Sequence, residues 1–299
     1  MLRVTSNQMH RTLIDNIQNA QKKVMDSNEQ ISSGYRLNRP SDDPVAAAQA
    51  MNLMSLQHQY EQYESNVQQA RMWSVSTENG VSQSIELVQR AKTLVMQAIS
   101  DTSNTVNKKS VADEINAIAD SIRMLGNTKV NNDYIFSGSM TDTPAYPTAG
   151  IDTYGGNQIS IQREISPGIK TNINLNAQSV FGDDTSGLLK TLRDTAADLI
   201  TNTSASMTSL RTTRMQDLDS SLDTLTSAQS QVGAVQSRLD FYETRLRELQ
   251  TSNSELLSIT RDVDLAQASA EYAQRQTALT AALKTGQSIV QPSLIDFIR

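Results

Sequence analysis

The 299-residue chain contains no cysteine. Disulfides, thiolate catalysis and cysteine-based zinc sites are therefore excluded. It holds only two histidines, His10 and His58, far apart on polar stretches, where solvated or seam-flanking side chains are expected. Aromatic residues make up 4% of the chain and apolar residues 37%. Aromatics supply much of a globular core, so the material for a deep spherical core is missing. A narrow helical seam needs apolar residues at only two or three positions in seven and can be fed from this composition. No apolar run approaches about 18 residues, so membrane insertion is not expected. The net charge is −6 and the lysines and arginines are dispersed; with no basic tract, nucleic acid is not expected as a partner. The N-terminus, MLRVTSNQMHRTLID, lacks an uninterrupted apolar stretch and a small-residue cleavage site. No cleaved secretory signal is expected, which leaves open an export route that reads an uncleaved N-terminus. The phosphate-binding, dinucleotide, zinc-protease and nucleophile-elbow motifs are all absent.

What is present is heptad patterning. Leu13, Ile17, Ala20, Val24, Ser27 and Ile31 alternate at spacings of 4 and 3, a coiled-coil seam ending at Gly34. A longer seam starts after residue 44 and passes through Leu56, Tyr60, Tyr63, Val67, Ala70, Ser74, Thr77, Val81, Ser84, Val88, Ala91, Val95 and Ala98. One helix of roughly 55 residues is about 80 Å long, which predicts a rod along at least one axis. Gly80 is its expected weak point. Residues 101–110 read as a loop. Val111, Ile115, Ile118, Ile122 and Leu125 then mark a third helix ending near Gly126. Leu188, Leu192, Ala196 and Leu199 follow Gly187 in helical register. The last helix is expected to run on from Leu218 through Leu222, Leu225, Gln229, Val232, Leu239, Tyr242, Leu246, Leu249, Asn253, Leu256, Thr260 and Val263, with a slip in phase near Gly233. It continues into an alanine seam at Ala266, Ala270, Ala273 and Ala281. Asn253 and Thr260 are polar seam positions, which favour register over stability.

Between about 134 and 186 the texture changes to short alternating runs, QISIQREI and IKTNINLN, with turns at Gly155-Gly156 and Pro167-Gly168. The expected fold is mainly α: an elongated antiparallel helical bundle or coiled coil formed by the N- and C-terminal arms, with a small β-rich inserted domain. The expected domains are 1–43 with 260–299 (terminal coiled coil), 44–133 with 187–259 (helical bundle) and 134–186 (insert). The terminal pair is thin. Ordering costs roughly 1–2 kcal/mol per residue, so these arms are expected to be disordered in the free chain and to fold against neighbouring subunits.

One stretch, QISSGYRLNRPSDDPVAAAQA (30–50), interrupts the heptads with a charged break. Asp43 suits a helix N-cap and Pro44 the first helical position. Residues before proline favour extended backbone. The stretch therefore reads as a helix stop, an extended strap and a capped helix start, serving either as a linker or as a partner-binding strap. Asp42-Asp43 lacks the ligand spacing of a calcium loop, and no metal is expected. A carbohydrate- or peptide-cleaving enzyme would need paired carboxylates; Asp142, Asp152, Glu164, Asp183 and Asp184 of the insert form no such constellation, and no enzyme activity is expected. A generic signalling rod would lack the insert.

ISSGYRLNRPSDDPVAAA (31–48) resembles the N-terminal signature of the bacterial flagellin family, and its Arg-Pro-Ser-Asp-Asp-Pro-Val-Ala-Ala core resembles the hook-associated branch of that family. NTKVNNDYIFSGS (127–139), VGAVQSRLD (232–240) and ITRDVDLAQASAEYAQRQTALTAAL (259–283) resemble further family segments in the same order. The insert carries no such resemblance. The resemblance implies a structural subunit exported by the flagellar type III apparatus. It would act outside the cell, at the hook–filament junction, as an adaptor; the alternative is a filament subunit. The partners implied are copies of itself in a junction ring, a hook-side hook-associated protein, flagellin and a flagellar export chaperone, with no cofactor. The candidate subunit contacts in the strap are Ser33, Gly34, Arg36, Asn38, Arg39, Asp42 and Asp43. At the C-terminus they are Leu279, Leu283, Ile289, Leu294, Ile295, Phe297 and Ile298, whose alternative is packing on the chain's own N-terminal helix.

Overall fold

The computed structural model describes residues 2–100, 105–147 and 152–295, with side chains up to Gln287 at the C-terminal end. In chain order its elements are α1 (Leu2–Ser33), α2 (Pro44–Ser100), α3 (Thr105–Gly126), β1 (Lys129–Val130), β2 (Asp133–Tyr134), β3 (Gln162–Ser166), β4 (Ile169–Asn172), α4 (Ala177–Val180), α5 (Leu188–Thr201), α6 (Ser204–Ser209), a π turn (Leu210–Arg214), α7 (Met215–Arg261) and α8 (Leu265–Ile295). The fold is mainly α, with a small strand-containing insert. Residues 105–110, expected in a loop, are the first turns of α3. Two compact units result: residues 1–59 with 249–299, and residues 60–248.

The unit 60–248 holds the core. The expected α2 seam is correct from Val67 to Ala98: Val67, Ala70, Ser74, Thr77, Val81, Ser84, Val88, Ala91, Val95 and Ala98 are all buried. Ile115, Ile118 and Ile122 of α3, Leu188, Leu192, Ala196 and Leu199 of α5, and Leu218, Leu225 and Leu239 of α7 complete it. The expected phase slip at Gly233 does not occur. Buried positions Leu218, Ser221, Leu225, Ala228, Val232, Leu239 and Leu246 keep the 3,4 alternation, with Val235 packed against the core between them. Ser221 and Ala228 occupy the seam where the larger Leu222 and Gln229 were expected, and those two flank it at half-buried positions.

Gly80 lies within the unbroken α2. A Cβ there would stand 3.3 Å from the Phe136 ring, so the glycine makes room for an aromatic against α2. Phe136 also meets Phe181 edge-on, with ring centroids 5.2 Å apart. Beside them Trp73, the one tryptophan of the chain, donates its indole N–H to the Ile135 carbonyl at 3.4 Å and is buried.

The insert has less ladder than its alternating runs suggest. β3 and β4 form one antiparallel hairpin around Pro167-Gly168, where Gly168 adopts φ +72°. Upstream of β3 the Ile173 N–H still donates to the Ile161 carbonyl at 3.0 Å, and asparagine side chains replace the rest of the main-chain pairing. The Ile161 N–H donates to Asn174 Oδ1 at 2.7 Å, the Asn174 amide donates to the Ile159 carbonyl, and the Ile159 N–H donates to Asn157 Oδ1. The chain bends at Gly156 with no strand pairing beside it. The insert is pinned to the helices by Arg193, whose guanidinium donates to Asp152 at 2.8 Å and to Asp120 at 2.7 Å. The bonds to Asp152, which is buried, together with those to Asp120 raise the Arg193 pKa further.

Asp183 caps the turn before α5. It accepts from the Thr185 hydroxyl, from the Gln178 side chain and from the Thr185 and Ser186 N–H groups. These donors, the Thr185 hydroxyl first, hold its carboxyl at about 2. An unfolded aspartate titrates near 3.9. The folded value is the lower, so the stabilisation is complete above pH ~4 and is lost as pH falls from ~4 to ~2. Acid unfolding of Asp183→Asn should accordingly show a shallower loss of stability in that window than the parent chain, read by circular dichroism.

In the other unit, α1 and α8 pair antiparallel: Gly286 sits against Leu13 and Ile17, and the Arg275 guanidinium donates to Ser27 Oγ at 2.5 Å. The α1 seam read from the sequence is the face turned to α8, but two helices alone leave it half-buried, apart from buried Ser27. The alanine seam of α8 is out of phase. Ala266, Ala270, Ala273 and Ala281 are exposed, and the inner face is Ala268, Tyr272, Arg275, Leu279, Ala282 and Gly286. The cause is a break. α7 stops at Arg261, and α8 starts afresh at Leu265 with Asp264 capping the Ala266 and Gln267 N–H groups at 2.9 and 3.2 Å.

Candidate functional site

The strap, residues 34–43, lies in the same unit as that break. α1 ends at Gly34, which takes φ +75° while its N–H donates to the Gln30 carbonyl at 3.0 Å. A left-handed residue here ends the helix in the way glycine permits. Ser33 Oγ accepts the Tyr35 N–H at 3.1 Å. Asn38 donates to the Tyr35 carbonyl at 3.3 Å. From Arg39 the chain is not extended but turns through Pro40 and Ser41. The Asp42 N–H donates to the Arg39 carbonyl at 3.0 Å, and Asp42 Oδ2 accepts the Arg39 N–H at 2.9 Å. Proline suits the second position of such a turn. Asp43 then caps α2, accepting the Ala46 N–H at 3.0 Å, with Arg36 at 3.8 Å from its carboxylate.

Charged side chains of the strap are exposed. Arg39 is 61% exposed and pairs with Glu29 of α1 at 2.9 Å. Asp42 is also exposed. Together with Lys23, Asp26, Glu29 and Arg275 they line an open, polar groove bounded by α1, the strap and α8. Charges of both signs line it.

The sequence reading missed the strap's partner inside the chain. Tyr35 forms an antiparallel bridge with Asp262, and the Arg261 guanidinium lies 3.9 Å from the centre of the Tyr35 ring. Asp264, an N-cap residue just ahead of an alanine-rich helix, signals the break but not what it pairs with. Of the C-terminal candidates, Leu279 is half-buried on the inner face of α8, toward α1, and Leu283 is exposed. Ile289, Leu294 and Ile295 fall on the last turns of α8, beyond the described side chains; Phe297 and Ile298 lie outside the described residues. No group of three histidine or acidic side chains among the described residues could hold a metal. No helix among them is long and apolar enough to cross a membrane.

Residues 4–141 match the bacterial flagellin N-terminal helical region, and residues 215–297 match the bacterial flagellin C-terminal helical region. The chain belongs to the bacterial flagellin family. The two flagellin regions thus include the strap, the α7–α8 break and both arms, and leave most of the insert and α5 between them. The chain is 26% identical to flagellar hook-associated protein 3 of Salmonella typhimurium, across the whole of both chains. It is 24% identical to a flagellin of Bacillus subtilis, across 88% of this chain and 90% of that one. Its fold is that of flagellar hook-associated protein 3 from Legionella pneumophila, with a TM-score of 0.61 at 13% identity over 70% of this chain and 98% of that one.

Proposed function

We propose that this flagellin-family chain is a structural subunit of the bacterial flagellum, assembled at the hook–filament junction as an adaptor between a hook-side hook-associated protein and flagellin. The observation that carries the subunit reading is the near absence of a core in one unit. Within residues 1–59 and 249–299, Ala50 and Ala268 are the buried apolar residues among those described, while Ile14, Met25, Val45, Met51, Ile259 and Leu265 are exposed. A unit with so little core of its own fits a chain that gains its packing from neighbouring subunits. The adaptor reading is supported by the end-to-end likeness to hook-associated protein 3.

In this reading residues 1–43 and 260–299 form the inner, tubular layer against copies of the same chain in a ring. Residues 44–133 and 187–259 form the surrounding bundle, and 134–186 the variable insert. Helices α1 and α8 gain their order from those neighbours, and the strap side chains Arg39 and Asp42 meet an adjacent subunit. Before assembly the chain travels unfolded through the flagellar type III apparatus, with an export chaperone on its apolar C-terminal stripe. The role requires no catalytic step. Deleting the gene should leave hooks intact, abolish filaments and release flagellin into the medium; immunoblotting of culture supernatant and electron microscopy of hooks check this. A deletion that removes the flagellin subunit itself would support the filament alternative, and normal motility would reject both.

A further inference from the structure

The strap and the α7–α8 break are bound to each other through the ends of two helices. The last carbonyls of a helix have no partner within it. The Arg261 carbonyl, at the end of α7, accepts the strap N–H groups of Arg36 at 2.7 Å and Leu37 at 3.4 Å. The Thr260 carbonyl accepts the Arg36 guanidinium at 2.8 Å. In return the Val263 N–H, from the break, donates to the Gly34 carbonyl at the end of α1 at 3.0 Å. Tyr35 and Asp262 stand opposite each other between these bonds, and Arg261 covers the Tyr35 ring. The two strands of this contact are separated by more than 220 residues of chain.

We infer that residues 34–37 and 260–263 form one clasp, in which the strap caps α7 and the break caps the end of α1, so that neither side opens without the other. Its groups all come from within the chain, so it is closed in the free protein and needs no neighbouring subunit. The inference therefore stands apart from the junction reading and is tested without motility. The clasp fixes where both arms begin: α1 ends at Ser33 and α8 starts at Leu265. Whatever order the arms gain later is gained from a common base.

Two measurements on the full-length, purified chain test it. The first is amide exchange with substitutions on one side read on the other. Arg36→Ala should speed exchange of the Val263 amide roughly tenfold or more, as loss of one charged hydrogen bond implies, and Arg261→Ala that of the Arg36 amide roughly two- to fivefold, as loss of a cation–π contact implies. Exchange within residues 60–248 should not change. The second uses the absence of cysteine. Residues directly opposite in an antiparallel pair stand about 4.5–5.5 Å apart between Cα atoms, within reach of a disulfide. The double substitution Tyr35→Cys with Asp262→Cys should therefore oxidise fully within the monomer. Cross-side exchange that stays unchanged, or a cysteine pair that stays reduced or links two chains, overturns the clasp.

Discussion

Phe136→Ala is expected to lower the stability of the unit 60–248 by about 3–5 kcal/mol, the cost of emptying a fully buried aromatic site. The surroundings cannot collapse into the space. On one side stands the backbone of Gly80, which brings no side chain of its own; on another, Phe181 loses its edge-on partner, a contact worth roughly 0.5–1.5 kcal/mol beyond buried area. Chemical denaturation followed by circular dichroism measures the loss. A double substitution, Phe136→Ala with Gly80→Leu, should recover part of it, because the leucine would grow from α2 into the vacated volume. A single-site loss under about 1 kcal/mol would mean that the insert does not depend on this contact.

Arg39→Glu is expected to act on assembly and leave the fold alone. The residue is exposed, and its pair with Glu29 is of the kind worth about 0–1 kcal/mol. The purified variant should melt within a degree or two of the parent. Charge reversal at a contact that becomes buried between subunits costs 2–5 kcal/mol or more, so filament attachment and swimming should fall by roughly thirtyfold or more in a strain carrying the variant. Soft-agar spreading and the number of filaments per hook report it. Parent-like swimming removes Arg39 from the interface. A melting temperature lowered by ten degrees or so shows instead that the strap is only a tie within the chain.

The helices of the core were legible because their apolar positions recur at the spacing that helix packing needs. From Val67 to Ala98 the heptad phase is also the buried face. The same reasoning failed in α8, where a phase carried forward from Val263 put Ala266, Ala270 and Ala273 inside. Three non-helical residues at 262–264 reset that phase, and such a break is invisible to a count of spacings. Gly233 misled in the opposite direction: the preference for the larger Leu222 and Gln229 passed over Ser221 and Ala228, the small residues that are buried. In the insert the alternation of QISIQREI suggested a longer strand than β3, because Asn157 and Asn174 take over part of the backbone pairing. In the strap the caps Gly34, Asp43 and Pro44 were readable from local chemistry. Its partner residues, Thr260 to Val263, were not, since no local pattern links stretches so far apart in the chain.

The lone tryptophan gives the molecule a built-in optical reporter. Trp73 is buried beside Ile135, so its emission should shift to the red when the insert lifts from α2 and water reaches the indole. The other unit holds no tryptophan. Fluorescence therefore follows one unit and stays blind to the arms, whereas far-ultraviolet dichroism sums the helices of both. Melts recorded by the two methods separate wherever the arms unwind first, and the gap between the curves measures arm order on an unlabelled chain.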